Sequence, residues 1–127
     1  MKALLLDTHA WVWSLVGDPR LPARASAAIV NAESVLVSTI SFFEIGQKVR
    51  LCKWPEMAPF VGKLPELLEA QGGQSADLDP AICLQASLME WAHRDPFDRL
   101  LAATAMRRDI PLISADAVFD GVVRRIW

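Results

Sequence analysis

The sequence predicts an α/β domain with a largely parallel sheet, and three observations predict it. The runs "ALLL" (Ala3–Leu6), "SVLVS" (Ser34–Ser38) and "IPLIS" (Ile110–Ser114) are short and almost wholly apolar, as strands covered on both faces must be. Helix-forming segments separate them, the alternation that generates parallel sheets. The chain has 127 residues, 53% of them hydrophobic and 22% charged, which suits one globular domain with its own core.

The elements follow in chain order. "ALLL" is the first strand, ended by Asp7, with Thr8 placed to cap the helix "HAWVWSLV", since a hydroxyl there accepts from exposed backbone N–H groups. "DPRLP" breaks that helix, and the alanine-rich "ARASAAIVNAE" forms the next. "SVLVS" is the second strand. "ISFFEIGQKVRL" is a helix despite Gly46, and "KWPEMAP" is a loop. Phe60, Val61, Leu64, Leu67 and Leu68 recur at helical spacing, but Pro65 makes this either a kinked helix or two short ones. Gly72–Gly73 ends it, and "QSADL" is a short strand. Asp79–Pro80 opens the helix "AICLQASLMEW", and Asp95–Pro96 opens another that runs to about Arg108, because proline suits the first helical position and aspartate the cap before it. "IPLIS" is the third buried strand, "ADAVFDG" a turn with one helical turn, and "VVRRIW" a last strand.

Charge excludes some functions. Thirteen basic and fifteen acidic residues give a net charge of −2, so no broad positive field holds a polyanion. Such a substrate has to be held locally, by a few arginines or through a metal ion. Cys52 and Cys83 make no disulfide framework and are expected as buried or incidental thiols of a reducing cytoplasm. The apolar run in MKALLLD is too short for a signal peptide or membrane span.

Chemistry concentrates in acids. Ligands of open parallel sheets bind beyond the carboxyl ends of the strands. Asp7 directly follows the first strand, and Asp116 lies two residues after the third. Glu44 falls about one turn into the helix after "SVLVS", and Asp98 in the first turn of the helix opened by Asp95–Pro96. All four can converge on one edge. Each also has a purely structural use. Asp7 can begin a turn, and Asp116 can cap "AVF". Ser41 and Glu44 have capping-box spacing, Glu44 and Lys48 suit an i,i+4 ion pair, and Asp98 suits the positive end of a helix dipole. If they do converge, two carboxylates about 5 Å apart repel by roughly 3 kcal/mol at an effective dielectric near 20. A cation then has to sit among them, and all-oxygen donors select Mg²⁺ or Mn²⁺ rather than zinc. Such a pocket serves phosphoryl or phosphodiester chemistry. No phosphate-binding glycine loop and no nucleophile–histidine arrangement is legible.

The segments "LLLDTHAWVW", "STISFFEIGQK", "HRDPFDRLLAATA" and "PLISAD", in that order and spacing, resemble the PIN-domain ribonucleases, and within them the VapC-type toxins of bacterial toxin–antitoxin modules. The resemblance covers nearly the whole chain. It implies a three-layer α/β/α sandwich in a single domain over residues 1–127, and an acidic Mg²⁺ or Mn²⁺ site. It implies endoribonuclease activity on RNA, a homodimer, a small antitoxin partner and a cytoplasmic, membrane-free location. Carried over by motif, the metal-binding and catalytic acids are Asp7, Glu44, Asp98 and Asp116. Asp95 is the helix cap, and with Thr8 and Ser114 forms a candidate outer group around the acids. Ser114 stands where many relatives carry threonine, and its hydroxyl can still orient a carboxylate.

Two other functions fit the same acids: a receiver-type domain phosphorylated on a strand-end aspartate, and a catalytically silent binding module of the same fold. At least one of Trp11 and Trp13 is expected in the core. Trp54, Trp91 and Trp127 are packing or interface residues, and Arg99 is a solvated helix-face charge rather than a phosphate ligand.

Overall fold

A computed structural model describes residues 2–127. Five parallel strands, β1 (Ala3–Leu6), β2 (Ser34–Ser38), β3 (Gln74–Ala76), β4 (Leu112–Ile113) and β5 (Arg125–Ile126), lie in the order β3-β2-β1-β4-β5. Six helices connect them: α1 (Thr8–Val16), α2 (Ala23–Asn31), α3 (Thr39–Arg50), α4 (Leu64–Ala70), α5 (Pro80–Leu88) and α6 (Pro96–Arg108). Short 3₁₀ turns add Pro55–Met57, Val61–Lys63 and Ala117–Phe119.

Strand alternation divides the core into the two faces of a sandwich. Leu4, Leu6, Val37 and Ile113 point to one side and pack on Ala10, Trp11 and Val12 of α1, Ala25 of α2, Ile45 of α3 and Leu64 and Leu68 of α4. Leu5, Leu36, Ala76 and Leu112 point to the other and pack on Leu101, Ala102 and Ala105 of α6, with Phe119. Helix α5 is joined through Ile82 and Ala86 to Ala103 of α6. The three layers are those the resemblance implies.

Strand order also creates the site's location. The chain leaves β1 toward β2 on one side, while β4 returns to pair with β1 on the other. The crevice at the carboxyl ends of β1 and β4 is a topological switch point, and Asp7 and Ser114–Asp116 follow those two ends.

Several boundaries differ from the sequence reading. Asp7, not Thr8, caps α1: its carboxylate accepts from the Ala10 N–H at 2.9 Å. Ser38 caps α3, and Ser41 is buried a turn inside it, so the Ser41–Glu44 capping box does not form. Pro65 divides its segment into the Val61–Lys63 turn and α4, because it sits in the first turn of α4, where its missing N–H costs nothing. Helix α5 stops at Leu88, short of Trp91. Strand β4 is only Leu112–Ile113, because the Ile110 N–H is used by the Ala105 carbonyl to close α6. Cys52 and Cys83 are exposed rather than buried.

Helix α3 ends in a turn that matters later. Lys53 N–H donates to the Lys48 carbonyl at 2.8 Å and Cys52 N–H to that of Val49 at 3.0 Å, the paired closure that needs a left-handed residue. Cys52 supplies it at φ 58°.

Candidate acidic site

Asp7 occupies the corner between β1 and α1. One carboxylate oxygen caps α1 and the other accepts a short hydrogen bond from the Ser114 hydroxyl. Ser114 is fully buried, and its oxygen in turn accepts the Asp116 N–H at 3.1 Å. One serine therefore joins the acids that follow β1 and β4. Asp116 also accepts from Val118 N–H at 2.9 Å, so it caps the last 3₁₀ turn as well.

Glu44 reaches the same corner from α3. Thr8 Oγ1 lies 2.7 Å from Glu44 Oε1 and 2.9 Å from Ser41 Oγ. With one proton to give, Thr8 donates to the carboxylate and accepts from Ser41. The other Glu44 oxygen meets Lys48 Nζ at 3.0 Å, the ion pair that the i,i+4 spacing predicts. Thr8 is thus a partner of Glu44 and not the cap that its position suggests.

Asp98 enters from the first turn of α6. Its Oδ2 lies 2.7 Å from His93 Nε2. Asp95 does the capping, accepting from Phe97 N–H at 2.8 Å and Asp98 N–H at 3.1 Å. The two aspartates of "DPFD" have separate tasks.

Electrostatics connects these pieces. Burial pushes the Asp7 carboxyl above the usual value of about 3.8; bonds from Ala10, Ser114 and nearby His9 oppose that, and Glu44 adds to it. Burial likewise raises Asp98, opposed by the His93 contact and reinforced by Asp95 and Asp116. The acids form two neighbouring pairs, Asp7 with Glu44 and Asp98 with Asp116, linked through Ser114. Among the described residues no group of three Asp, Glu, His or Cys side chains stands together as a ready metal cage. Glu44 and Asp98 each have one oxygen turned to a basic side chain. The donors are all oxygen, and burial disfavours the charge of Asp7 and Asp98, so they fit a hard divalent cation chemically.

Two residues escaped the sequence reading. His93 has no role in the sequence reading, yet it holds Asp98. Arg99 is no solvated charge: its guanidinium donates to the carbonyls of Ala86, Met89, Trp91 and His93 at 2.5 to 2.9 Å. The signal for both was present in "HRDPFDR", since a turn packed against a helix start has to satisfy its own carbonyls.

The Asp7 shift has a consequence for stability. The folded chain keeps its Asp7 proton to higher pH than the unfolded chain, so stability falls as pH rises above about 3.8. Asp7→Asn is therefore expected to melt above the wild type at pH 7 in EDTA. That difference should close as pH approaches 4, and a gap independent of pH would refute the assignment.

A family model of the PIN domain matches residues 4–124. The chain is 30% identical over 117 residues to Ribonuclease VapC22 of Mycobacterium tuberculosis, covering 91% of this chain and 88% of that protein. Among solved structures it is similar to DNA-bound VapBC from Salmonella typhimurium, with TM-score 0.69, 18% identity and 98% and 97% of the two chains covered. It is also similar to FitAcB from Neisseria gonorrhoeae, with TM-score 0.66, 20% identity and 96% and 95% covered. At these identities the structural likenesses concern the fold.

Proposed function

This chain belongs to the PIN domain family, and on that footing we propose that it is the ribonuclease toxin of a toxin–antitoxin pair. It hydrolyses RNA phosphodiester bonds and is neutralised by a small cognate antitoxin. The observation that carries the reading is the linkage of Asp7 to Asp116 through the buried Ser114 at the switch point between β1 and β4, beside a curated ribonuclease relative matched over most of its length. No helix among the described residues is long and apolar enough to cross a membrane. In this reading the enzyme works in the cytoplasm as a homodimer.

Asp7, Glu44, Asp98 and Asp116 are the residues to hold Mg²⁺ or Mn²⁺. A bound ion supplies a Lewis acid for the phosphate and an acidified water as nucleophile. The chain's own part is to aim the oxygens. Ser114 fixes Asp7, Thr8 and Lys48 fix the two oxygens of Glu44, and His93 holds one oxygen of Asp98.

Purified protein is expected to cleave RNA with Mg²⁺ or Mn²⁺ and to stop in excess EDTA. Expressed alone it should arrest growth, and co-expression of the adjacent small reading frame should relieve the arrest. Full RNA cleavage in EDTA, or no cleavage with either ion, would overturn the proposal.

A further inference from the structure

The most organised surface beside the acidic corner is aromatic. The His9 ring lies on Trp54 with centroids 4.8 Å apart and planes 26° apart. His9 also meets the edge of Trp13 at 5.8 Å, and Trp13 packs on Trp127 and lies under the Arg20 guanidinium at 4.7 Å. Lys48 Nζ stands 5.5 Å from the Trp54 ring while holding Glu44 at 3.0 Å. A continuous path therefore leads from Glu44 through Lys48 and Trp54 to His9, two residues past Asp7.

We propose that His9, Trp54 and Lys48 form a stacking subsite for an unpaired nucleobase of the RNA strand entering the acidic corner. The inference rests on the ribonuclease reading and deepens it by naming single-stranded RNA as what the enzyme engages.

The core accounts for only part of this arrangement: Trp13, Trp54 and Trp127 lean on it from one side. Trp11, two residues on along α1, is fully buried, whereas His9 is exposed and Trp54 half-buried. Trp54 is brought there by the left-handed turn at Cys52, after which its N–H also donates to the Lys48 carbonyl, at 3.3 Å. Aromatic faces beside cations hold splayed bases of single strands without reading sequence. Bases in a duplex have their faces already covered by neighbours, so the subsite selects unpaired segments. Lys48 and Arg20 bring cationic groups against these rings, each also paired with a carboxylate, Lys48 with Glu44 at 3.0 Å and Arg20 with Asp18 at 2.7 Å.

The test measures binding and cleavage separately. Affinity for a fluorescein-labelled single-stranded oligoribonucleotide is measured by anisotropy in the Asp98→Asn background, where strand scission does not interfere. Trp54→Leu is expected to weaken it about tenfold, within the range for stacking one base on an aromatic ring. Trp54→Phe should restore most of the affinity. His9→Ala, at an exposed position that does not endanger folding, should give a loss of the same sign. In the active enzyme Trp54→Leu should raise KM and leave kcat largely unchanged. The same oligonucleotide annealed as a duplex should show no dependence on Trp54.

Equal affinity in wild type, Trp54→Leu and His9→Ala would overturn the subsite, as would equal losses on duplex, or loss of antitoxin neutralisation with unaltered RNA affinity. An enzyme that cleaves RNA indifferently to Trp54 refutes the subsite alone. A protein that binds RNA through Trp54 but never cuts it supports the subsite and refutes the ribonuclease.

Discussion

Asp98→Asn is expected to lower RNA cleavage by about three orders of magnitude, the rate equivalent of ~4 kcal/mol, the scale of transition-state charge stabilisation by a metal ion. The amide keeps the shape of the side chain and its place in the first turn of α6. It removes the charge that a divalent ion needs. Folding should be nearly unaffected, because burial and the neighbouring Asp95 and Asp116 already disfavour that charge. The lost interaction with the helix dipole is worth only about 0.3–1 kcal/mol. Asp95→Asn is the informative contrast. Asparagine caps helices about as well as aspartate, so this variant should keep both its stability and most of its activity. Cleavage by Asp98→Asn within tenfold of wild type, or an equal loss in Asp95→Asn, would remove Asp98 from the proposed centre. A calorimetric Mn²⁺ titration separates lost ion binding from misfolding.

Arg99→Leu is expected to cost about 1–3 kcal/mol, the range for leaving hydrogen-bonding groups without their partner. That is a large part of the 5–15 kcal/mol typical of a whole domain. Helix α5 ends at Leu88, and its last carbonyls together with those of Trp91 and His93 converge on one guanidinium. Leucine fills part of the space and donates nothing. Arg99→Lys should recover only a fraction, because an ammonium is a point donor and cannot span four separate carbonyls as a planar fork does. Urea denaturation with an unchanged m-value measures the loss. Activity should also fall in the surviving folded fraction, since the turn that Arg99 clamps carries His93 to Asp98. A midpoint shift equivalent to less than about 1 kcal/mol in Arg99→Leu would show that water replaces the guanidinium.

The sheet was legible wherever strands are buried on both faces. "ALLL" and "SVLVS" match β1 and β2 residue for residue, because continuous apolar runs have few other uses in a chain this short. The cap-plus-proline starts of α5 and α6 were equally plain. Ends were harder to read, as with α5 and β4, since hydrogen bonds from distant segments decide where an element stops. Strand ends alone gave the positions of Asp7 and Asp116, and helix starts those of Glu44 and Asp98. Their partners could not be read this way, because Ser114, Thr8, Lys48 and His93 acquire their roles from side-chain directions that only packing fixes. Arg99 shows the limit most clearly: its neighbour Asp98 suggested a surface charge, and the carbonyls that bury it come from residues six to thirteen positions earlier.

The hydrogen bond between Ser114 and Asp7 joins positions 107 residues apart. A ribosome that has emitted β1, β2 and even α6 has not yet delivered the strand that completes the crevice. The acidic corner is therefore assembled only when synthesis is almost finished.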